Sequence, residues 1–105
     1  MSRKKDRLSN LLKEEIAYIL KHAQDPRLAM VVITRLELSQ DLKHAKVYFT
    51  TIPEGAEKEV EKALQSARGY IKSQLMKNLR IKFVPDLVFK FDAELKAFEK
   101  LWEKL

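Results

Sequence analysis

Two runs of alternating apolar and polar residues stand back to back near the middle of this chain, and they constrain its fold more than any other feature. In residues 30–39, Val32, Thr34, Leu36 and Leu38 alternate with Ile33, Arg35, Glu37 and Ser39; in residues 44–52, Ala45, Val47, Phe49 and Thr51 alternate with Lys46, Tyr48 and Thr50. A period of two puts each set on one face of a strand, and the β-branched content suits that geometry. Residues 39–43 make the connecting turn, so the two strands form a hairpin. Its apolar face requires a second layer to cover it.

The flanking segments supply that layer. Leu8, Leu12, Ile16, Ile19, Leu20 and Ala23 recur at three- and four-residue steps, which predicts a helix over residues 6–22 that Asp25-Pro26 ends. After the hairpin, Pro53-Glu54-Gly55 breaks the pairing, and Glu57 and Glu59 suit the positive end of a new helix. Val60, Ala63, Leu64 and Ala67 form one inward set and Ile71, Leu75 and Leu79 a second. Gly69 lies between them, where a helix loses about 1 kcal/mol relative to Ala, and is read as a break dividing the segment into two short helices. Pro85 precedes a last strand over residues 86–92, with Leu87, Phe89 and Phe91 inward and Val88 and Lys90 outward. Residues 93–105 place Leu95, Phe98, Leu101, Trp102 and Leu105 on one helical stripe, which predicts a short packed helix with Phe98 and Trp102 in the core. Tyr48 and Tyr70 are expected at the core rim.

The order is helix, strand, strand, helix, helix, strand, then a helical tail. That is an α+β fold with helices against one face of a small sheet, and the long connection before the last strand favours a mixed sheet. At 105 residues the chain is expected to be a single domain, residues 1–105, with its core over about residues 6–92 and the tail over 93–105.

The formal charge is +6, and it is unevenly spread. Residues 1–13 carry Arg3, Lys4, Lys5, Arg7 and Lys13 against Asp6 alone, a net +4. Residues 62–85 carry Lys62, Arg68, Lys72, Lys77, Arg80 and Lys82 with no acid, a net +6, while residues 14–61 sum to −3 and residues 86–105 to −1. A surface shaped only for solubility usually interleaves both signs, so 24 residues without a carboxylate set a polyanionic partner, nucleic acid first and an anionic membrane surface second, beside the plainer reading of a solvated cationic face. Lys72, Met76 and Arg80 follow at four-residue steps, with Arg68 before them.

Several function classes are excluded. There is no Cys, so thiolate chemistry, disulfides and Cys-based zinc sites are closed. With two glycines in the chain, neither a Walker loop nor a dinucleotide fingerprint can be written. His22 and His44 lie beside no nucleophile motif and read as surface residues, and the Glu14-Glu15 and Glu57-Glu59-Glu61 clusters read as solvated faces. No catalytic residue, metal site, cofactor or small-molecule substrate is expected. The longest apolar run has six residues, against roughly 20 for a membrane span, and Lys13, Glu14 and Glu15 stand where an export signal needs an apolar stretch. A cytoplasmic protein is expected.

Five local strings carry a resemblance. They are Arg7-Leu8; Asp25-Pro26-Arg27-Leu28; Leu38-Ser39-Gln40-Asp41-Leu42-Lys43-His44-Ala45-Lys46-Val47-Tyr48; Ala67-Arg68-Gly69-Tyr70-Ile71; and Leu79-Arg80-Ile81-Lys82-Phe83-Val84-Pro85-Asp86-Leu87. Together, over about residues 7–92, they resemble the ribosome-binding factor A family of bacterial small-subunit assembly factors. The resemblance implies a KH type II-like domain in which an interrupted helix pair, with its break at Ala67, Arg68 and Gly69, replaces the usual Gly-x-x-Gly loop. It further implies a monomeric, non-enzymatic factor that binds the free 30S subunit and its 16S rRNA and supports 5′-end maturation, notably in the cold. The RNA-binding residues expected are Arg3, Lys4, Lys5, Arg7, Ala67, Arg68, Gly69, Lys72, Lys77, Arg80 and Lys82. Because Gly-x-x-Gly is missing, no single-strand clamp over that loop is carried across. Two rival expectations come from other classes: a protein-interaction module pairing through its hairpin edge, and a DNA-binding basic domain.

Overall fold

The computed structural model describes residues 3–104, the side chain of Lys96 excepted. Helix α1 (Arg3–Lys21) leads into a 3₁₀ turn (Leu28–Met30), strands β1 (Val31–Leu38) and β2 (His44–Thr51), helix α2 (Glu57–Leu79), strand β3 (Asp86–Phe91) and helix α3 (Ala93–Glu103). The sheet order is β1-β2-β3, with β1 antiparallel and β3 parallel to the central β2. The mixed sheet follows from the crossover that α2 makes between β2 and β3.

The predicted stripe of α1 is the one that is covered: Leu12 and Ile16 are fully buried and Ile19 and Leu20 nearly so. The Asp-Pro-Arg-Leu string then reverses the chain. Asp25 accepts hydrogen bonds from the Arg27 backbone N–H (3.0 Å) and guanidinium (2.8 Å), its carbonyl accepts from Leu28 N–H (3.0 Å), and Leu28 enters the core. The hairpin turn is held by its own side chains, Ser39 Oγ donating to Asp41 Oδ1 (2.6 Å) and Lys43 N–H to the same oxygen (3.0 Å), with Leu42 at φ 61°.

Two expectations about strand and helix faces are corrected. In β1 the pairing runs Ile33↔Phe49, then Arg35↔Tyr48, so Thr34 is an extra residue in a β-bulge. The bulge exchanges the faces: Val31 and Ile33 pack on the core before it and Leu36 and Leu38 after it, whereas Val32 is 40% exposed. Val32 and Thr34 therefore do not belong to the inward set. In β2, by contrast, Ala45, Val47, Phe49 and Thr51 are all buried as expected, and in β3 Leu87 and Phe89 are buried and Phe91 half-buried.

The break at Gly69 does not occur. α2 is one helix of 23 residues, about 34 Å long at 1.5 Å per residue. Val60, Ala63, Leu64, Ile71 and Leu75 are buried along one unbroken stripe, with Ala67 and Leu79 packed at its edge. That continuous apolar burial outweighs the roughly 1 kcal/mol that one mid-helix glycine costs. The helix ends only at Arg80, which adopts the left-handed conformation (φ 53°) that glycine more often supplies.

The tail is helical but unpacked, which is the third correction. Asp92, almost fully buried, caps α3 by accepting from Leu95 N–H (3.0 Å) and also accepts from Thr34 Oγ1 (2.6 Å). Beyond that anchor Phe98, Leu101 and Trp102 are 61–67% exposed, and Leu105 lies outside the described residues. Helical spacing made an apolar stripe, but α1 and α2 already cover the sheet's apolar face. Tyr48 is half-buried beneath the Arg35 guanidinium (3.9 Å to the ring centroid), and Tyr70 is half exposed.

Candidate nucleic-acid interface

The uninterrupted helix decides how the acid-free stretch is displayed. Because α2 buries Val60, Ala63, Leu64, Ile71 and Leu75, the residues on its other side face solvent as a set, and these include Arg68, Gly69, Met76 and Lys77. Two concavities run along this side. A cleft of about 510 Å³ between α2 and the starts of β2 and β3 is lined by His44, Arg68, Gly69, Lys72, Asp86, Leu87 and Val88. A larger groove of about 690 Å³ is lined by Gly69, Lys72, Ser73, Met76, Lys77, Ile81 and Lys82. Gly69 and Lys72 belong to both, so the two form one continuous surface bearing four Lys and Arg cations.

Gly69 is the low point of that surface. It is exposed, has no positive φ, and an added Cβ would meet no atom within 4 Å. Neither packing nor backbone geometry requires glycine there. A glycine at an exposed helix position lets a ligand backbone come close to the helix.

One carboxylate does enter the site. Lys72 Nζ lies 3.0 Å from Asp86 Oδ1, with side chains 40% and 67% exposed. The Lys72 hydrogen bond and charge, and more weakly His44 and Arg68, hold the Asp86 carboxyl below the usual carboxylate range. Asp86 is the residue immediately after the acid-free stretch, and the register His44↔Asp86 brings both to the cleft mouth. Sequence reasoning assigns neither to the site. His44 reads as a surface residue, and it is exposed; its place in the cleft comes from strand register, which no local signal carries.

The other expected residues are distributed differently. Ala67 is half-buried and turns toward α1, where it lines a separate concavity with His22, Ala23 and Tyr70. Arg80 is exposed at the helix end and lines neither the cleft nor the groove. Asn78 Nδ2 donates to Glu15 Oε2 (3.1 Å), while the end of α1 meets Ala67 and Tyr70, so the two helices run antiparallel. The first turns of α1, with Arg3, Lys4 and Arg7 exposed and Lys5 half-buried, thus lie toward the α2 C-terminus and about 12–18 Å beyond Glu15 along the axis. They extend the charge past Arg80 and do not line the Gly69 surface.

The chemistry available is electrostatic. Lysine and arginine heads around a side-chain-free saddle suit phosphate oxygens, and Met76, 40% exposed, adds apolar contact. Among the described residues no three His, Asp or Glu side chains are placed to hold a metal ion, and no helix is long and apolar enough to cross a membrane.

Comparison with known proteins converges on one family. The chain matches the family model described as ribosome-binding factor A over residues 4–105. The ribosome-binding factor A of Dictyoglomus thermophilum is 39% identical over 108 residues, covering 100% of this chain and 90% of that protein. The crystal structure of ribosome-binding factor A from Thermus thermophilus superposes with a TM-score of 0.75 at 28% identity, over 83% of this chain and 93% of the other. A homology model of the Thermus thermophilus factor, fitted into a cryo-EM map of its complex with the 30S subunit, gives a TM-score of 0.65 at 26% identity over 79% and 89% of the two chains. The fold is thus the KH-like α+β arrangement of that family.

Proposed function

Since the chain belongs to the ribosome-binding factor A family, we propose that it binds the free 30S ribosomal subunit through 16S rRNA and assists maturation of that rRNA, including its 5′ end. It acts as a cytoplasmic monomer and by binding alone, with its greatest effect in the cold. The observation that carries this reading is the continuous surface along α2, where Arg68, Lys72, Lys77 and Lys82 surround an exposed glycine that the protein itself does not need. A relative fitted into a 30S complex supports the same partner. Arg80 and the α1 cations Arg3, Lys4, Lys5 and Arg7 add phosphate contacts beyond the groove. Phosphate contacts position a protein without specifying sequence, so selectivity comes from the shape of the folded rRNA site.

The hairpin-edge reading fares worse. β1 is an edge strand, but the bulge at Thr34 interrupts its ladder, and bulges blunt an edge against further pairing. Arg35 is also engaged by Glu37 (2.8 Å) and Glu94 (3.4 Å).

Co-sedimentation with isolated 30S subunits across a salt series tests the proposal. The four groove cations alone contribute about −3 to the log–log slope, at about 0.7 to 0.9 per phosphate, and the outlying cations steepen it further. Replacing Lys77 and Lys82 by Gln together should flatten the slope by about 1.4 to 1.8. A flat response of the unmodified protein, or equal affinity for intact 70S ribosomes, refutes it.

A further inference from the structure

Among the described residues Asp86 is the one acid lining a cleft that also holds Arg68, Lys72, His44 and apolar groups, and its position is specific. It opens β3 opposite His44, and its backbone N–H donates to Lys43 carbonyl (2.9 Å), which fixes the residue at the cleft mouth. From there its carboxylate reaches across to Lys72 on α2 (3.0 Å). Arg68, one helical turn before Lys72, lines the same cleft and has no ion pair among the described residues.

We propose that the cleft is a subsite for a single phosphate group of the bound nucleic acid, and that Asp86 is its internal stand-in, holding Lys72 in place until a phosphate displaces it. This rests on the RNA-binding reading above and adds to it a ligand class and a displaced group. Arg68 presents a planar fork suited to two phosphate oxygens, Lys72 a point charge, and His44 a third donor from the opposite wall. The volume of about 510 Å³ accommodates a phosphodiester and its sugars. Both members of the Lys72–Asp86 pair are substantially exposed, so water screens the pair and it opens readily. The Lys72 hydrogen bond and charge hold the Asp86 carboxyl below the usual carboxylate range, so it is charged at neutral pH and competes with phosphate there. A carboxylate at this position orients the lysine at the cost of some affinity, and it repels any phosphate that fails to take over both cations.

The test is a double-mutant cycle with isolated 30S subunits as the probe, at fixed salt. Asp86→Asn keeps the side chain's size and removes the competing charge; it should tighten binding about two- to fivefold, the range that an exposed ion pair represents. In a Lys72→Gln background that gain should fall well below its size in the parent, because the paired cation is gone and only the weaker influence of Asp86 on Arg68 and His44 remains. Thermal melting of each variant confirms that the fold is retained, as expected for an exposed pair. Unchanged or weaker binding by Asp86→Asn overturns the proposal, and so does an equal gain in both backgrounds, which would be a general charge effect. Lys77→Gln/Lys82→Gln separates this failure from the larger one. If that pair loses binding while the cycle shows no coupling, the RNA-binding surface stands and the subsite falls; if that pair binds as the parent does, the surface itself is refuted.

Discussion

Replacing Gly69 by Ala should change stability and ribosome binding in opposite directions. The backbone at Gly69 is ordinary right-handed helix inside α2, and a Cβ there meets nothing within 4 Å, so the substitution introduces neither strain nor overlap. What remains is the intrinsic difference between the two residues in a helix interior, about 0.8–1.0 kcal/mol in favour of Ala. With an unfolding entropy of about 2.1 cal/mol/K per residue, a chain of this length has roughly 0.22 kcal/mol/K, so Tm should rise by about 4 °C. Urea unfolding followed by far-UV circular dichroism gives the free energy directly, and an unchanged m-value shows that the folded state is the same. The added methyl group stands where the cleft and the groove meet, so affinity for isolated 30S subunits should fall in the same variant. Loss of stability would mean that the helix is bent at Gly69 and that its continuity is wrong. A gain in stability with unaltered binding would mean that nothing approaches the helix there.

Three other perturbations address the parts of the fold that the strings alone did not reveal. Deleting Thr34 removes the extra residue and leaves Val31, Ile33, Leu36 and Leu38 in uninterrupted alternation on the core face, so urea unfolding should show only the loss of the Thr34–Asp92 hydrogen bond, about 1–3 kcal/mol; a loss of about 5 kcal/mol or more would show that β1 cannot keep its core contacts without the bulge. Asp92→Ala removes the cap of α3 and the partner of Thr34, which should cost about 1–2 kcal/mol by the same measurement. Hydrogen bonds from Thr34 and Leu95 lower the Asp92 carboxyl below the ordinary value of 3.8, so the stability it contributes is complete above that pH and is lost as pH falls through its folded-state value. Stability of the parent protein should therefore decline more steeply below about pH 4 than that of Asp92→Ala. Phe98→Ser with Trp102→Ser should leave unfolding within about 0.5 kcal/mol of the parent, since both rings are largely exposed; a drop of about 2 kcal/mol or more would place α3 against the core.

The pattern of what was legible follows from the range of the forces involved. Alternation in β2 and β3 and the stripe on α1 predicted their buried faces correctly, because within one regular element a side chain's direction depends only on its position in the repeat. β1 escaped that logic at Thr34, where one extra residue shifts the parity and no single residue type announces it. The cationic content of residues 62–85 was also visible as composition, and its concentration on one side of α2 follows from the helical period once the helix is known to be continuous.

The sequence by itself determined the α+β class, the element order apart from dividing α2 in two, the mixed sheet's crossover and the location of the acid-free stretch, since all of these are written in local periodicity and charge. Tertiary structure alone decided three things. It carried α2 straight through Gly69, because burial of an in-phase stripe exceeds a local helix penalty. It left Phe98, Leu101 and Trp102 uncovered, because an apolar stripe does not say whether a partner surface is free. It brought Asp86 and His44 to the mouth of a cleft with Arg68 and Lys72, because strand register and helix crossover set distances between residues that the chain keeps far apart.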